Sequence, residues 1–241
     1  MQNGLAWSTA LLMGSEFTQE AIDMAEKGNY LQHVHCHLNL SACRSVGNHF
    51  VPLNENYKKS RFCKDGEFKT YKYYKIDYQK YSGIILEELE TQFLTFKELT
   101  RSEANYSHID FHLYANLSLP VNAAYKELIK KYNIKTARFF GEHEKYMGSW
   151  KQRLFKTCLI YNMKRNKACA VKSSKIEFFL MRPEIFKNEA VVELFVHPEY
   201  RNGIIIDRTN SVSGAGFNPL EDNIRLVREA VEAQFISWED F

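Results

Sequence analysis

The sequence carries little net charge and has no long apolar run. Its 32 Lys and Arg residues stand against 29 Asp and Glu residues, which leaves a net charge of +3 over 241 residues. So small an excess argues against a strongly basic nucleic-acid-binding surface, and we predict no nucleic-acid partner. No apolar run reaches the length of a transmembrane helix, and we predict no membrane partner.

The sequence contains an odd number of cysteines, and no two of them form a CxxC pair. They are Cys36, Cys43, Cys63, Cys158 and Cys169. Because the sequence also shows no signal-peptide pattern, we expect free or buried thiols in a reducing compartment, and the predicted location is the cytoplasm.

The bulk composition allows more than one architecture. A chain of this length can bury a full core, and a single α/β barrel suits it as well as two small domains do. Aromatic residues make up 14% of the chain and include 14 Tyr. This suits a carbohydrate site and equally a large core.

Helical and extended patterns alternate along the chain. The apolar run 5–13 predicts a buried strand, Ser15 to Gly28 predicts a helix, and 33–40 predicts a second strand, which together form the unit typical of a parallel sheet. Further on, the patterns predict helices at 83–101 and after Pro120, and strands at 134–140, 175–181 and 191–196. The stretch 42–82 is predicted to be a long excursion, and its part rich in Tyr and Lys, 68–78, could line a sugar groove.

Two short segments contain five of the eight histidines. Alternation places His33, His35 and His37 on one face of a strand, and His108, Asp110 and His112 on one face of another. Neutral imidazole and carboxylate oxygen are ligands for divalent metals, so the two clusters predict a metal site. The alternative is that strand histidines fill the core and form internal hydrogen bonds. A single histidine would favour that alternative, whereas two alternating clusters favour the metal.

Five short motifs occur along the chain in a recognisable order. They are Trp7–Met13, His37–Ser41, Lys64–Phe68, Ser107–His112 and Glu193–Pro198. They resemble the motifs T-S-x-S-L-M, G-x-H-x-x-L-T, D-x-x-G-x-F, T-H-x-D-x-H and E-x-M-x-H-P of the YdjC-like carbohydrate deacetylases. No single motif is decisive, but five in register make the resemblance strong.

The resemblance implies a fold and a reaction. The fold is an α/β, distorted TIM-like (β/α) barrel of the glycoside hydrolase/deacetylase type, formed as a single domain by residues 1–241. The reaction is the metal-dependent hydrolysis of N-acetyl groups on amino-sugar oligosaccharides, with Mg or Zn as the divalent ion. The family is often dimeric, which implies a homodimer.

The resemblance also implies roles for particular residues. His37 and His112 would hold the metal, and His197 would be the general acid that protonates the departing amine. Arg138 would either orient a substrate oxygen or form an ordinary ion pair, and the sequence favours neither. Asp110 would orient His108 or His112 from behind. Tyr114 stands where the family often has a histidine, so it would contact substrate.

One family feature is absent from the sequence. Family members begin with a strand ending in D-D-F-G, which supplies a metal ligand and the carboxylate that acts as base. This sequence contains no Asp-Asp pair, and its first aspartate is Asp23. The expectation is therefore a barrel that lacks its first strand, through truncation, a misassigned start or true loss. We expect weak activity from the sequence as it stands and an active deacetylase if an upstream segment exists. The alternatives are a non-catalytic remnant that binds sugar or a partner, and a different metal-dependent hydrolase such as a phosphoesterase.

Overall fold

The structure is a computed structural model that describes residues 6–42, 50–69, 78–101, 107–142, 149–165, 170–208, 219–230 and 235–236. Its contacts divide the chain into two compact units. The larger unit comprises residues 8–139, 155–170 and 237–241, and the smaller unit comprises residues 1–7, 140–154 and 171–236. Because the two units interleave along the chain, this division leaves the single domain over 1–241 a prediction.

The described strands and helices alternate along most of the chain. The strands are β1 Thr9–Leu12, β2 Val34–Leu38, β3 Cys63–Lys64, β4 Glu67–Phe68, β5 His108–Phe111, β6 Thr136–Gly141, β7 Ala170–Lys175, β8 Val192–Phe195, β9 Pro198–Arg201 and β10 Ile204–Asp207. The α-helices are α1 Thr18–Lys27, α2 Glu55–Lys58, α3 Tyr78–Thr100, α4 Leu119–Lys131, α5 Trp150–Arg165, α6 Ile176–Met181 and α7 Leu220–Ala230. Short 3₁₀ helices occupy Leu31–His33, His112–Leu117 and Pro183–Ile185.

The larger unit is built on a parallel sheet. Strand β2 pairs with β1 on one side and with β5 on the other, and β5 pairs with β6. Parallel neighbours require crossover connections, and helices α1, α3 and α4 supply them. The register places His37 opposite Asp110 across β2 and β5. Polar residues from two distant parts of the chain therefore meet at adjacent positions.

Apolar periodicity explains why the covering helices form. Helix α3 buries Leu89, Phe93 and Phe96 completely, at the spacing of one helix face. Burying side chains of this size contributes on the order of 1.5–3 kcal/mol each. In α4, Pro120 lies in the first turn, where its missing N–H costs nothing. The buried Tyr125 hydroxyl shares its single hydrogen between the carbonyls of Ile109 and Arg138, each 3.1 Å away. The bond to both strands fixes α4 against β5 and β6.

The smaller unit has its own core and its own strand pairs. Strands β7 and β8 are parallel, and β9 and β10 form an antiparallel hairpin. The hairpin turns at Asn202 and Gly203, whose φ angles are 51° and 84°, as a two-residue turn with left-handed backbone requires. The core cluster consists of six buried apolar side chains from 176–186 and α7: Ile176, Phe179, Phe186, Leu220, Ile224 and Val227.

The sequence predictions hold for the fold class and differ in some boundaries. The parallel α/β fold of the distorted TIM-like class is confirmed, because six strands enter parallel pairings and helices connect them. The predicted strand at 175–181 is wrong: residues 176–181 form α6, which buries Ile176 and Phe179 at helical spacing. The predicted helix at 83–101 begins earlier, at Tyr78.

Some predicted features lie in part outside the described residues. Of the stretch 68–78, residues 70–77 are not described, and neither are Cys43 and Cys169. The three cysteines that the structure describes, Cys36, Cys63 and Cys158, are free thiols. None of the described helices is both long and apolar enough to span a bilayer.

Candidate metal centre

One face of the larger sheet carries a cluster of ionisable side chains. On β2, Cys36 and Leu38 are fully buried on one face, while His35 and His37 point to the other. On β5, Asp110 is the register partner of His37 and lies on that same face. Strand β6 adds Arg138.

Asp110 is the centre of this cluster. Its Oδ1 contacts His37 Nδ1, its Oδ2 accepts a hydrogen bond from Arg138 Nη2, and the same Oδ2 lies 3.5 Å from His35 Nε2. We call Asp110, His35, His37 and Arg138 the Asp110 cluster. Burial alone would raise the pKa of Asp110, but the neighbouring Arg138, His37 and His35 hold that pKa well below its usual value. The carboxylate is therefore ionised and accepts hydrogen bonds from His37 and Arg138, while His35 Nε2 lies close to it without forming one.

This carboxylate fixes the proton on His37. Because Asp110 is ionised and can only accept, His37 Nδ1 donates to it; when the ring carries a single proton, its lone pair is therefore on Nε2. A carboxylate behind a histidine is the usual support of a metal-binding imidazole, since it fixes the ring and makes the outer nitrogen more basic. The sequence predicted that Asp110 orients His108 or His112. The described contacts join it to His37 and His35 instead.

The outer nitrogen of His37 faces a second imidazole. His37 Nε2 lies 3.4 Å from His112 Nδ1, and the two rings are 5.4 Å apart at 77°. Two nitrogens bound to one tetrahedral zinc at its usual bond length would be about 3.3 Å apart. We call these residues the His37–His112 pair. Its spacing and donor type fit a common divalent ion. The His37 side chain is 15% exposed, so the pair is also accessible.

The donor set is small. Among the residues that the structure describes, no group of three or more His, Cys, Asp or Glu side chains is arranged to hold a metal ion. Catalytic zinc normally has three protein ligands and keeps one position for water or substrate. The described part of the chain therefore offers an ion two imidazoles.

His108 has a different environment, although it shares a face with Asp110 and His112 in the sequence pattern. It is fully buried, and its Nδ1 lies 2.9 Å from the Thr136 hydroxyl. That hydroxyl donates to the carbonyl of Ser107, so His108 Nδ1 is the donor to Thr136. The ring edge of His108 packs against His35, with centroids 4.8 Å apart. His108 is thus a buried residue that packs beside the Asp110 cluster.

His35 belongs to the histidine cluster from which the sequence predicted a metal site, but the sequence assigned it no role of its own. It is 6% exposed, and its Nδ1 has no hydrogen-bond partner among the described residues. The alternation His35-Cys36-His37 was the available signal, because it placed both imidazoles on one face. His33, grouped with them in the sequence, lies before the strand in a 3₁₀ turn, where its Nε2 is 3.2 Å from Gln32 Nε2.

The chain reverses sharply after β5. His112 begins a 3₁₀ segment in which Leu113 and Tyr114 both have left-handed backbone, with φ angles of 52° and 51°. Such a conformation costs a non-glycine residue on the order of 1 kcal/mol or more. The half-buried Tyr114 lies in this turn, and the buried Asn116 donates to the carbonyl of Phe139. Contact of Tyr114 with substrate stays a prediction.

The remaining two predicted residues have separate outcomes. Arg138 forms the ion pair that was one of its two predicted roles, and the substrate role stays a prediction. His197 lies in the smaller unit between β8 and β9, where its side chain is exposed. Its backbone N–H donates to Asp207 Oδ1 at 3.1 Å, and its ring is edge-on to Phe195 at 6.0 Å. A role as general acid stays a prediction.

Comparison with known proteins gives one family. The family model of the YdjC-like protein matches residues 1–216 of the chain. None of the curated proteins compared with the chain is significantly similar to it.

Proposed function

The chain belongs to the YdjC-like family of carbohydrate-deacetylase-like proteins, and we propose that it is a metal-dependent hydrolase that removes N-acetyl groups from amino-sugar oligosaccharides. The observation that carries the proposal is the His37–His112 pair, whose nitrogens lie 3.4 Å apart with Asp110 behind His37. Imidazole donors at a tetrahedral spacing favour zinc over magnesium.

Each residue of the site has a separate role in the proposed reaction. His37 and His112 would hold the ion, which would lower the pKa of a bound water and polarise the carbonyl of the substrate amide. Asp110 holds the His37 proton on Nδ1 and so keeps Nε2 available. Arg138 keeps Asp110 ionised, because its guanidinium offsets the burial of the carboxylate. His197 is proposed to give a proton to the departing amine.

Acetate release from an N-acetylated oligosaccharide tests the proposal. We expect release by the full chain that stops on adding a chelator and returns with zinc. His37→Ala and His112→Ala should abolish it. His33→Ala is the matched control, since it removes a nearby imidazole that lies outside β2, and it should leave the rate unchanged. Release that persists in the presence of chelator would contradict the proposal.

A second function is favoured by the small donor set of the described residues. On this alternative, the chain binds an N-acetylated saccharide without hydrolysing it. Calorimetry would then show saccharide binding, while acetate release would stay at background under excess zinc.

A further inference from the structure

Two buried side chains on α3 lie next to the main chain that follows His37. Within the described residues, the ladder of β2 with β1 ends at His37, and its ladder with β5 ends at Leu38. Asn39 is the next residue and is fully buried, so its backbone groups need partners from elsewhere. Gln92 supplies both: Asn39 N–H donates to Gln92 Oε1 at 2.9 Å, and Gln92 Nε2 donates to the Asn39 carbonyl at 2.7 Å.

Glu88, one turn earlier on α3, holds Gln92 in this orientation. Gln92 Nε2 also donates to Glu88 Oε1 at 2.7 Å, so both amide hydrogens of Gln92 have acceptors. Glu88 and Gln92 are both fully buried. A buried polar network in which each member is satisfied is rigid, because any rearrangement leaves a desolvated group without a partner.

The same carboxylate binds a second segment of the chain. Glu88 Oε1 accepts from Leu53 N–H at 3.0 Å, and Glu88 Oε2 accepts from Asn54 N–H at 2.8 Å. Asn54 is the N-cap of α2, where its Oδ1 accepts from the N–H groups of Asn56 and Tyr57. Glu88 therefore fixes the start of α2, which belongs to the segment 50–69 formed by α2 and the β3–β4 hairpin.

Segment 50–69 lies beside the ends of two sheet strands. Val51 N–H donates to the carbonyl of Gly14, which follows β1. Ala42, which follows β2, donates its N–H to the carbonyl of Lys69. The carboxyl ends of parallel strands are where α/β folds carry their chemistry. The segment and the His37–His112 pair thus border the same end of the sheet within the larger unit.

We propose that Gln92, held by Glu88, is a positioning residue for His37, and that the pair couples the docking of segment 50–69 to the metal site. The inference rests on the proposed function, because it assigns His37 to a metal. We call Gln92 and Glu88 the clamp. Gln92 forms two hydrogen bonds with the backbone of Asn39, two residues after His37, and Glu88 forms two with the backbone at the start of α2. A shift at either end must be transmitted through the two α3 side chains or must break one of these bonds.

Zinc calorimetry on the full chain tests the clamp. Gln92→Leu removes both bonds to Asn39 and should weaken zinc binding by at least tenfold, and Glu88→Gln should weaken it severalfold. Glu87→Gln is the matched control, because Glu87 is exposed, lies on the same helix and accepts from Asn56 Nδ2. It should change the affinity by less than twofold.

A purely structural role for Gln92 gives a different result. In that case Gln92→Leu would lower the unfolding temperature but bind zinc like the wild type at temperatures well below the transition. That outcome overturns the inference and leaves the proposed function standing. If the wild type and His37→Ala bind zinc equally, the metal site itself is wrong, and both proposals fall.

Hydrogen exchange in the wild type provides a test that needs no variant. Zinc binding should slow exchange of the Leu53 and Asn54 amides at least threefold, because the clamp links these amides to the strand that carries His37. Unchanged exchange at both amides, in a sample where zinc is bound, overturns the coupling.

Discussion

His37 and His197 are the two histidines to which the proposed reaction gives the most different roles, and their surroundings differ accordingly. His37 lies on a central strand, and Asp110, His112 and the backbone clamp after residue 38 each restrict its position. His197 lies in an exposed connection where a backbone bond to Asp207 fixes the chain near it. A metal ligand must stay in place whether or not the ion is bound, whereas a proton donor must reach solvent to be reprotonated. The more restricted surroundings of His37 and the more exposed position of His197 agree with these two proposed roles.

The largest expected effects are those of alanine substitutions at the two histidines, which should differ in whether zinc affinity or the reaction rate is lost. His37→Ala should reduce zinc affinity by more than a hundredfold, because it removes one of two imidazoles. His197→Ala should leave zinc affinity unchanged and lower the rate of acetate release by about 10²–10⁴-fold, the usual contribution of a general acid. Calorimetry and initial rates give the two readouts. Equal loss of zinc affinity in both variants would break the comparison.

Removing the charge of Asp110 should affect stability and metal binding together. Asp110→Asn leaves the buried Arg138 guanidinium without its counter-charge, which costs on the order of 3–5 kcal/mol of unfolding free energy. It also removes the carboxylate behind His37, which should weaken zinc binding by about 10–100-fold. Urea unfolding and calorimetry measure the two effects. Asp207→Asn, which touches the backbone at His197, is the matched variant and should leave zinc affinity unchanged.

The pH dependence of stability provides a contrast within the larger unit, because Glu88 and Asp110, the two buried carboxyls among its described residues, have opposite pKa shifts. Burial raises the pKa of Glu88 to about 7, and the bonds from Gln92, Asn54 and Leu53 only partly offset it. Folded Glu88 therefore holds its proton at pH values where unfolded Glu88 has lost it. The stability that this proton provides is fully present below about pH 4.5 and is lost as the pH rises through about 7, by up to about 3 kcal/mol.

Unfolding free energy measured between pH 5 and 8 should show this decline in the wild type. Glu88→Gln should flatten the decline, while Glu87→Gln should keep it. Asp110 contributes in the other direction, since its lowered pKa stabilises the fold above about pH 4 and that stability is lost as the pH falls further. A wild type whose stability rises between pH 5 and 8 would contradict the assignment for Glu88.

The smallest effect concerns the turns near the two histidines. Leu113, which follows His112, has a φ of 52°, and Leu113→Gly should stabilise the chain by up to about 1 kcal/mol, since glycine adopts this backbone without strain. Asn202, in the β9–β10 hairpin after His197, has a φ of 51°, and Asn202→Gly should be nearly neutral because asparagine tolerates that region. Thermal unfolding of both variants tests the difference. A loss of stability in Leu113→Gly would show that the side chain matters more than the backbone.

Part of the site could be predicted because strand alternation is a local property. The spacing of His35 and His37, and that of His108 and Asp110, placed each pair on one face without any knowledge of the fold. The pairing of Asp110 with His37 could not be predicted this way, because the two residues are 73 positions apart and meet through the register of β2 with β5. The separate role of His108 was hidden for the same reason, since it depends on Thr136 of the next strand.

The same reasoning explains the error at 175–181. A short apolar run has no reliable period, and its partners decide between strand and helix. Here Ile176 and Phe179 pack with α7, whose residues come more than forty positions later. The clamp of Gln92 and Glu88 was equally hidden, because on α3 both residues fit an ordinary polar pattern until Asn39 and Asn54 are brought to them.

The order of residues alone determined most of the alternating helices and strands, the faces of β2 and β5, and the family, because these depend on neighbours within a few residues. Tertiary structure decided that Asp110 bonds to the imidazole of His37 and so which nitrogen of that ring keeps its lone pair. It also decided that α3 fixes the chain at the end of β2. Those outcomes depend on contacts between distant segments, where burial and hydrogen bonding select one partner among several that the sequence allows.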